Sequence, residues 1–183
     1  MTALLRFDAV ALRRGGRLLF EGLSFAMGPG EALQVTGPNG SGKSSLLRLA
    51  AGLLCAESGR IDRSTLALAD DNVALDRELA LDRALRFWGG PVDPAMEAVG
   101  IAHLAGVPVR LLSSGQLKRA TLARAVASGA PLWLLDEPLN ALDREGTERL
   151  AGIVERHRAS GGAVVAASHQ PLPGKWRTLE LGA

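Results

Sequence analysis

Residues 31–54 read EALQVTGPNGSGKSSLLRLAAGLL and contain the strongest structural signal in the chain. Its first six residues are typical of a strand, and from Lys43 to Leu54 leucine and alanine recur at helical spacing. Between them, residues 37–44 match the pattern G-x-x-x-x-G-K-[ST] at every fixed position. A strand, a glycine-rich loop and a helix in this order predict a phosphate-binding loop.

The chemistry expected of this loop is anion binding. Glycines let successive backbone N–H groups point at phosphate oxygens, and the N-terminus of the following helix adds the positive end of its dipole. Lys43 supplies a mobile charge for the β- and γ-phosphates, and the Ser44 hydroxyl is the expected Mg²⁺ ligand. The predicted nucleotide-binding residues of the loop are Gly37, Pro38, Asn39, Gly40, Ser41, Gly42, Lys43, Ser44 and Ser45.

Two acids, Asp136 and Glu137, follow the apolar run of residues 131–135. Such a run is typical of a strand buried on both faces of a parallel sheet. At the carboxyl end of that strand, beside the phosphate loop, Asp136 can hold Mg²⁺ through its water shell and Glu137 can orient or deprotonate an attacking water. Two acids after a strand can equally form a solvated turn, and it is the phosphate loop that favours the catalytic interpretation.

A second helix start lies between these motifs, at residues 112–116, LSSGQ. A small, hydroxylated helix start that contains glycine is a second anion-binding end, but without a lysine. The alternative is an ordinary N-cap supplied by Ser113 or Ser114. Taken alone, the segment favours the ordinary N-cap.

Outward from these motifs, strands alternate with helices, which predicts an α/β fold with a mostly parallel sheet. Residues 70–109 show helical patterns near 79–88 and 94–104, and we interpret them as a helical insertion. We predict one domain over residues 1–183, with a core at 1–69 and 130–183 and a helical subdomain at 70–129 that includes the helix after LSSGQ. Strands are predicted at residues 4–12, 18–27, 31–36, 131–135, 163–167 and 176–181. A short strand after Gly59 is predicted to run through Ile61, with a further one at 66–68.

The composition of the chain limits the kinds of partner and the cellular location that we expect. The 21 Lys and Arg against 19 Asp and Glu leave a net charge of only +2, so we expect no nucleic-acid partner. The single cysteine, Cys55, excludes an intramolecular disulfide and is expected to be a small buried hydrophobe. No run of about 18 apolar residues is present and the start lacks a signal-peptide layout, which predicts a protein in the cytosol or one that reaches a membrane through a partner.

The order of the motifs resembles the ATP-binding subunits of ABC transporters across nearly the whole chain. In this comparison LSSGQ is similar to the family's LSGGQ signature with Ser114 in place of the first glycine, residues 140–143 (NALD) resemble the D-loop, and His169 resembles the switch histidine. The resemblance implies a P-loop NTPase fold of the ABC ATPase type. Its parts would be a mostly parallel core sheet, an N-terminal antiparallel β subdomain and a small helical subdomain.

The resemblance also implies a site divided between two chains. One protomer's phosphate loop and the other's signature helix would clamp the same ATP, in a homodimer that holds two ATP and Mg²⁺. Glu137 would act as the general base or water-orienting carboxylate, His169 would hold the γ-phosphate or the attacking water, and Asp143 would contact the partner protomer. A histidine at a strand end can also be purely structural. The signature residues of the site across the interface would be Ser113, Ser114, Gly115 and Gln116.

Two positions depart from the family pattern. The loop between the first two strands usually carries an aromatic residue that stacks on adenine, whereas here it reads RRGG at residues 13–16 and the chain contains no tyrosine. Arg14 is the predicted replacement, because its planar guanidinium can stack on the base. The glutamine that usually begins the helical insertion is also missing, and Asn72 is predicted to take over its sensing of Mg²⁺ or water.

Within the family, residues 17–25, 85–88 and 130–143 resemble the branch that serves haem export in cytochrome c biogenesis. For that branch the resemblance implies an integral membrane partner of the CcmB kind, or of the CcmC kind. It also implies a peripheral location on the cytoplasmic face of the bacterial inner membrane, with only indirect membrane contact. Phe87 and Trp88 are either docking residues for that partner or core aromatics of the helical subdomain.

The predicted function is therefore an ATPase that closes as a dimer around ATP and drives a membrane partner. Three alternatives remain. A soluble ABC protein acting on ribosomes or DNA usually carries tandem ATPase domains or a long insertion, and a small-molecule P-loop kinase leaves LSSGQ unexplained. The third is a subunit that binds nucleotide but hydrolyses it weakly, which the missing aromatic residue and glutamine suggest.

Overall fold

The computed structural model describes residues 3–70 and 75–182 of the chain. Its strands are β1 (Leu5–Arg14), β2 (Arg17–Met27), β3 (Ala32–Thr36), β4 (Ser58–Arg63), β5 (Leu66–Ala69), β6 (Leu132–Asp136), β7 (Ala163–Ala167) and β8 (Arg177–Glu180). Its helices are α1 (Lys43–Ala50), α2 (Leu81–Arg86), α3 (Val92–Val99), α4 (Ser114–Ala127) and α5 (Arg144–Ala159), with short 3₁₀ turns at Ala102–Leu104 and Val109–Leu111.

Five strands form a fully parallel sheet in the order β5-β6-β7-β3-β8. Every residue of β6 and β7 is buried, as expected for apolar strands with both faces covered. Because the strands are parallel, their carboxyl ends share one edge of the sheet. The loops that follow β3, β6 and β7 therefore meet there, and these loops carry the phosphate-loop motif, the two acids and His169.

The N-terminal strands form a separate antiparallel sheet in the order β2-β1-β4. Gly15 and Gly16, both with positive φ, form the turn that joins β1 to β2. A parallel core, an antiparallel N-terminal sheet and helices between β5 and β6 confirm the predicted fold class.

The parallel sheet separates two hydrophobic cores. Successive side chains of a strand point to opposite faces, so Leu132 and Leu134 pack with α1 and β1, whereas Trp133 and Leu135 pack with α3, α4 and α5. The helical elements that follow β5 share the second core with the central strands. This packing holds α4 against the carboxyl end of β6.

Some predictions about the elements were wrong in detail. Helix α1 ends at Ala50 rather than near Leu54, because Gly52 adopts a positive φ of 77°, and Leu53 is left 63% exposed. Cys55, which follows this turn, is exposed rather than buried. Among the helices in the described part of the chain, none combines the length and apolar character needed to span a membrane.

Candidate nucleotide-binding and catalytic site

The phosphate loop lies where β3 ends and α1 begins. Gly42 occupies the N-cap of α1 in the left-handed region, with φ 105°, and no side chain among residues 3–70 and 75–182 accepts a cap hydrogen bond there. Gly37 has φ 138°, and a Cβ at this position would collide with the Leu181 carbonyl oxygen of the edge strand's end. The loop therefore requires glycine at both positions, and the backbone N–H groups that begin α1 have no capping side chain among these residues.

Lys43 is the first residue of α1 and only 7% exposed. Its Nζ atom lies across the loop and donates hydrogen bonds to the carbonyl oxygens of Gly37 at 2.9 Å and Pro38 at 3.2 Å. The backbone N–H of Ser41 donates to the same Pro38 carbonyl at 3.2 Å. The ammonium group is thus held over the concave side of the loop, where a phosphate oxygen would take it as a donor.

Ser44 and Asp136 meet at the base of the loop. The Ser44 hydroxyl donates to Asp136 Oδ1 at 2.9 Å, and Asp136 is only 9% exposed. Hydroxyl and carboxylate oxygens are the donors that Mg²⁺ prefers, together with phosphates and water. Ser44 and Asp136 therefore fit Mg²⁺ as two of its oxygen ligands, with the others left to phosphate and water oxygens.

Glu137 and His169 form a pair beside the loop. Glu137 Oε2 lies 2.9 Å from His169 Nδ1, and Gln170 Nε2 lies 3.2 Å from His169 Nε2. Because a carboxylate oxygen accepts and an amide nitrogen donates, the proton of the neutral ring is assigned to Nδ1. Glu137 has φ 43°, a strained value for a residue with a side chain, and its backbone N–H donates to Ala167 O at 2.8 Å. Neighbouring parallel strands therefore place a carboxylate and an imidazole side by side.

A cavity of about 370 Å³ opens between the loop and Glu137. The structure brings together here Asn39, Gly40, Gly42, Lys43, Ser44 and Ser45 from the loop, with Glu137 and with Arg14 from the end of β1. Arg14 Nη1 is 3.4 Å from Ser45 Oγ, so its guanidinium lies at the rim of the cavity. Leu19, which the sequence analysis missed, also lines it. Asn72 lies outside the described residues.

The signature segment forms the N-terminus of α4. Ser113 is the N-cap: its Oγ accepts from Gln116 N at 3.2 Å, and Gln116 Oε1 accepts from Ser113 N at 2.9 Å. Within the single chain, the capping interpretation is therefore correct. Gly115 packs so closely on the Ala141 carbonyl that a Cβ would lie 2.6 Å from that oxygen.

A second cavity, of about 400 Å³, lies in front of this segment. Its lining includes Ser113, Ser114, Gly115, Gln116, Arg119, His103, Ala141 and Asp143. Asp143 caps α5 through Gly146 N at 2.7 Å and accepts from Arg119 Nη2 at 2.5 Å. The Gly146 hydrogen bond, followed by the Arg119 contact, holds the pKa of Asp143 below its ordinary value.

Two residues that follow the signature, Lys118 and Arg119, were not predicted from the sequence. Lys118 is one of only three lysines and is buried, and its Nζ donates to the Asp136 carbonyl at 3.0 Å. Lysine is seldom buried unless it is paired. Because the chain has only three lysines, the presence of one beside the signature segment was the sequence signal that could have indicated a role for Lys118.

The parallel sheet, the phosphate loop and the separate signature segment define an ABC-type ATP-binding protein. A family model described as "ABC transporter" matches residues 20–140. The fold is similar to that of a solved structure titled "Structure of ATP binding subunit of ABC transporter", with a TM-score of 0.87 and 20% identity, over 98% of this chain and 88% of the other.

Two curated relatives are more similar in sequence. Both are described as "Cytochrome c biogenesis ATP-binding export protein CcmA". The one from Sphingopyxis alaskensis is 54% identical over 94% of this chain and 93% of its own length, and the one from Novosphingobium aromaticivorans is 54% identical over 89% and 87%. The chain belongs to the ABC transporter family and, within it, to the CcmA proteins.

Proposed function

We propose that this ABC ATPase hydrolyses ATP as a homodimer and thereby drives an exporter that handles haem in cytochrome c biogenesis. The proposed dimer rests on the observation that the site is divided between two separate cavities. The cavity with Lys43 and Glu137 and the cavity with Ser113 and Gly115 share no lining residue among the described parts of the chain. Each chain thus offers two half-sites, and two chains arranged head to tail complete both.

The phosphate loop is proposed to bind ATP in each half-site. Backbone N–H groups of residues 39–44 and the N-terminus of α1 surround the phosphates, and Lys43 moves from the Gly37 and Pro38 carbonyls to phosphate oxygens. Arg14, which lines the rim of the cavity, is proposed to stack its guanidinium plane on the adenine.

Ser44 and Asp136 are proposed to hold Mg²⁺ together with nucleotide and water oxygens, and Asn72 is proposed to sense it. The metal neutralises charge that develops on the transferred phosphoryl group. Asp136 is nearly buried and already accepts a hydrogen bond from Ser44. Both oxygens are therefore preorganised, and little rearrangement is needed when nucleotide arrives.

Glu137 is proposed to accept a proton from the attacking water. Its strained backbone fixes the carboxylate at the cavity wall, and its hydrogen bond to His169 orients the group there. His169 is proposed to hold the attacking water through Nε2, which then accepts from the water instead of from Gln170, or to hold the γ-phosphate when both ring nitrogens carry a proton. On the opposite side, the partner chain's signature segment supplies a second helix N-terminus for the γ-phosphate, with Asp143 at the interface.

The membrane subunit is proposed to dock beside Phe87 and Trp88. Phe87 is 81% exposed and Trp88 47% exposed, so they are not core aromatics, and their rings meet edge to face at 5.5 Å. Trp88 lines a cavity of about 510 Å³ between β5 and α4, with Leu53, Leu66 and Arg124. An apolar patch with a few charged groups is typical of a protein interface, here for a cytoplasmic segment of a partner of the CcmB or CcmC kind.

A chain docked in this way is proposed to lie peripherally on the cytoplasmic face of the bacterial inner membrane. The test is co-purification with the membrane partner from cells that express both. Phe87→Ser is expected to lose the partner while the ATP affinity of the isolated chain stays unchanged, and Leu18→Ser, a 39% exposed leucine on the antiparallel sheet, is the matched control. Equal co-purification of both variants contradicts the docking surface.

Haem handling is tested on the purified complex. We expect haem, or a haem-loaded carrier, to raise the ATPase rate of the complex above its basal value. The control is the same complex with Glu137→Gln, which removes the proposed base. A rate that neither haem nor its carrier changes contradicts haem as the substrate. A complex that binds ATP and dimerises but never hydrolyses it favours the binding-only alternative.

A further inference from the structure

Two consecutive side chains of α4 reach the two ends of the loop that joins β6 to α5. Lys118 contacts Asp136, where the loop begins, and Arg119 contacts Asp143, where it ends. We infer that Lys118 and Arg119 are positioning residues. They connect the signature segment, which engages the ATP bound by the partner chain, to Glu137 in the chain's own ATP site. Engagement of the partner's ATP thereby sets the position of Glu137. The inference rests on the proposed split-site dimer.

The contact at the beginning of the loop is a buried one. Lys118 is 8% exposed, and its Nζ donates to the carbonyl oxygen of Asp136 at 3.0 Å. That carbonyl belongs to the peptide that links Asp136 to Glu137, and the N–H of the same peptide donates to Ala167 O at 2.8 Å. The peptide before the proposed base is thus held from both sides. A charged donor in a buried place makes the stronger of these two contacts.

The contact at the end of the loop is partly shielded. The Arg119 side chain is 13% exposed, and it donates to Asp143 Oδ1 at 2.5 Å and to the Val99 carbonyl at 3.4 Å. Oδ1 of Asp143 also accepts from Gly146 N at 2.7 Å, so the same oxygen joins α4 to the N-terminus of α5. Arg119 therefore connects the signature helix to the D-loop within one chain.

A third contact lies between these two. Gly115, in the first turn of α4, packs against the Ala141 carbonyl, and Ala141 itself has φ 62°. The loop from Asp136 to Asp143 is therefore held at its beginning, middle and end by one helix. When the N-terminus of that helix moves to engage a phosphate in the partner's site, the loop and Glu137 move with it. Packed elements transmit small displacements because they are not continuously deformable.

The test compares single variants of the full chain. Lys118→Met removes the buried donor at nearly constant volume, and Lys118→Gln returns an N–H donor with shorter reach. Arg119→Gln removes the contact with Asp143. The matched controls are Lys175→Met and Arg156→Gln, which change an exposed lysine and an exposed arginine away from the loop. Measured quantities are the ATPase kcat and KM, ATP binding to the monomer, and the melting temperature.

Lys118→Met and Arg119→Gln are expected to lower kcat about 10²-fold, the effect of displacing a reacting group by about 1 Å, while ATP binding to the monomer stays within about twofold. Lys118→Gln is expected to recover part of the loss. If the two side chains only stabilise the fold, their variants melt at a lower temperature but have the same kcat per folded molecule as the controls. This result overturns the inference.

The proposed function fails in a different way. The proposed function is contradicted if the wild-type chain has no ATPase activity, or if the Glu137→Gln chain binds ATP and stays monomeric. If wild type hydrolyses ATP and Glu137→Gln dimerises with it, but Lys118→Met and Arg119→Gln hydrolyse as their controls do, the inference alone is refuted.

Discussion

Replacing Gly115 with alanine tests the signature segment without touching the phosphate loop. The new Cβ would lie 2.6 Å from the carbonyl oxygen of Ala141, whereas ordinary contact begins at 3.4 Å. Helix α4 and the loop must therefore separate by roughly 0.8 Å, because the opposing atom is backbone and cannot rotate away. This displacement acts directly on the segment that carries Glu137 and Asp143.

The energetic consequence is small and the catalytic one large. Overpacking of this kind costs about 1–3 kcal/mol, and the better helix propensity of alanine offsets up to about 1 kcal/mol of it. For a chain of this size the melting temperature is expected to fall by at most roughly 10 °C. The ATPase rate is expected to fall about 10²-fold, since the reacting groups are displaced by nearly 1 Å.

The assay is steady-state ATP hydrolysis alongside fluorescent-nucleotide binding to the monomer. Binding is expected to remain within about twofold of wild type, because the phosphate loop is intact. Gly106→Ala is the matched control, since nothing lies within 4 Å of its added Cβ and its φ is ordinary. If Gly115→Ala hydrolyses ATP as fast as Gly106→Ala, the signature segment is not part of the catalytic site.

Further predictions concern binding, water activation and acid stability. Lys43→Ala is expected to weaken ATP binding at least tenfold in a nucleotide titration, because it removes the buried ammonium over the loop, and unchanged affinity contradicts its role. His169→Ala is expected to lower kcat by 10²-fold or more with little change in ATP affinity, since Glu137 loses its orienting partner; an equal loss of affinity contradicts this. The ring of His157 stacks on Trp133 at a centroid distance of 3.8 Å, and burial lowers the pKa of this histidine. The unfolded chain therefore binds the proton more readily than the folded chain does. The free energy of unfolding is expected to decrease as the pH falls below about 6.5. His157→Phe is expected to keep the stack and to show a smaller fall in melting temperature between pH 7.5 and 5.5, and an equal fall refutes it.

The parallel core and the phosphate loop could be predicted from the sequence because both are local patterns. Residues 132–136 are apolar at every position before the acid, and burial on both sheet faces requires that. The glycines at 37 and 42 stand where the backbone takes a positive φ. The pairing of Glu137 with His169 was accessible indirectly, since both follow parallel strands that end at the same edge.

Features that depend on how distant elements approach could not be predicted in this way. One local signal was outweighed by the helical periodicity through Leu53: Gly52, in the left-handed region just past the C-cap, ends α1 and leaves Leu53 and Cys55 exposed. The contacts of Lys118 and Arg119 arise only because α4 packs against the end of β6 and the start of α5. The subdomain boundaries at residues 70 and 129 stay a prediction.

Whether two chains share each ATP is decided by the mass of the Glu137→Gln chain in the presence of ATP. Size exclusion with light scattering is expected to give a dimer that retains two ATP, since binding is intact and hydrolysis is blocked. Adding Lys43→Ala to the same chain is expected to return it to a monomer, because the phosphate loop then loses its charge. A Glu137→Gln chain that carries ATP and remains a monomer contradicts the split site.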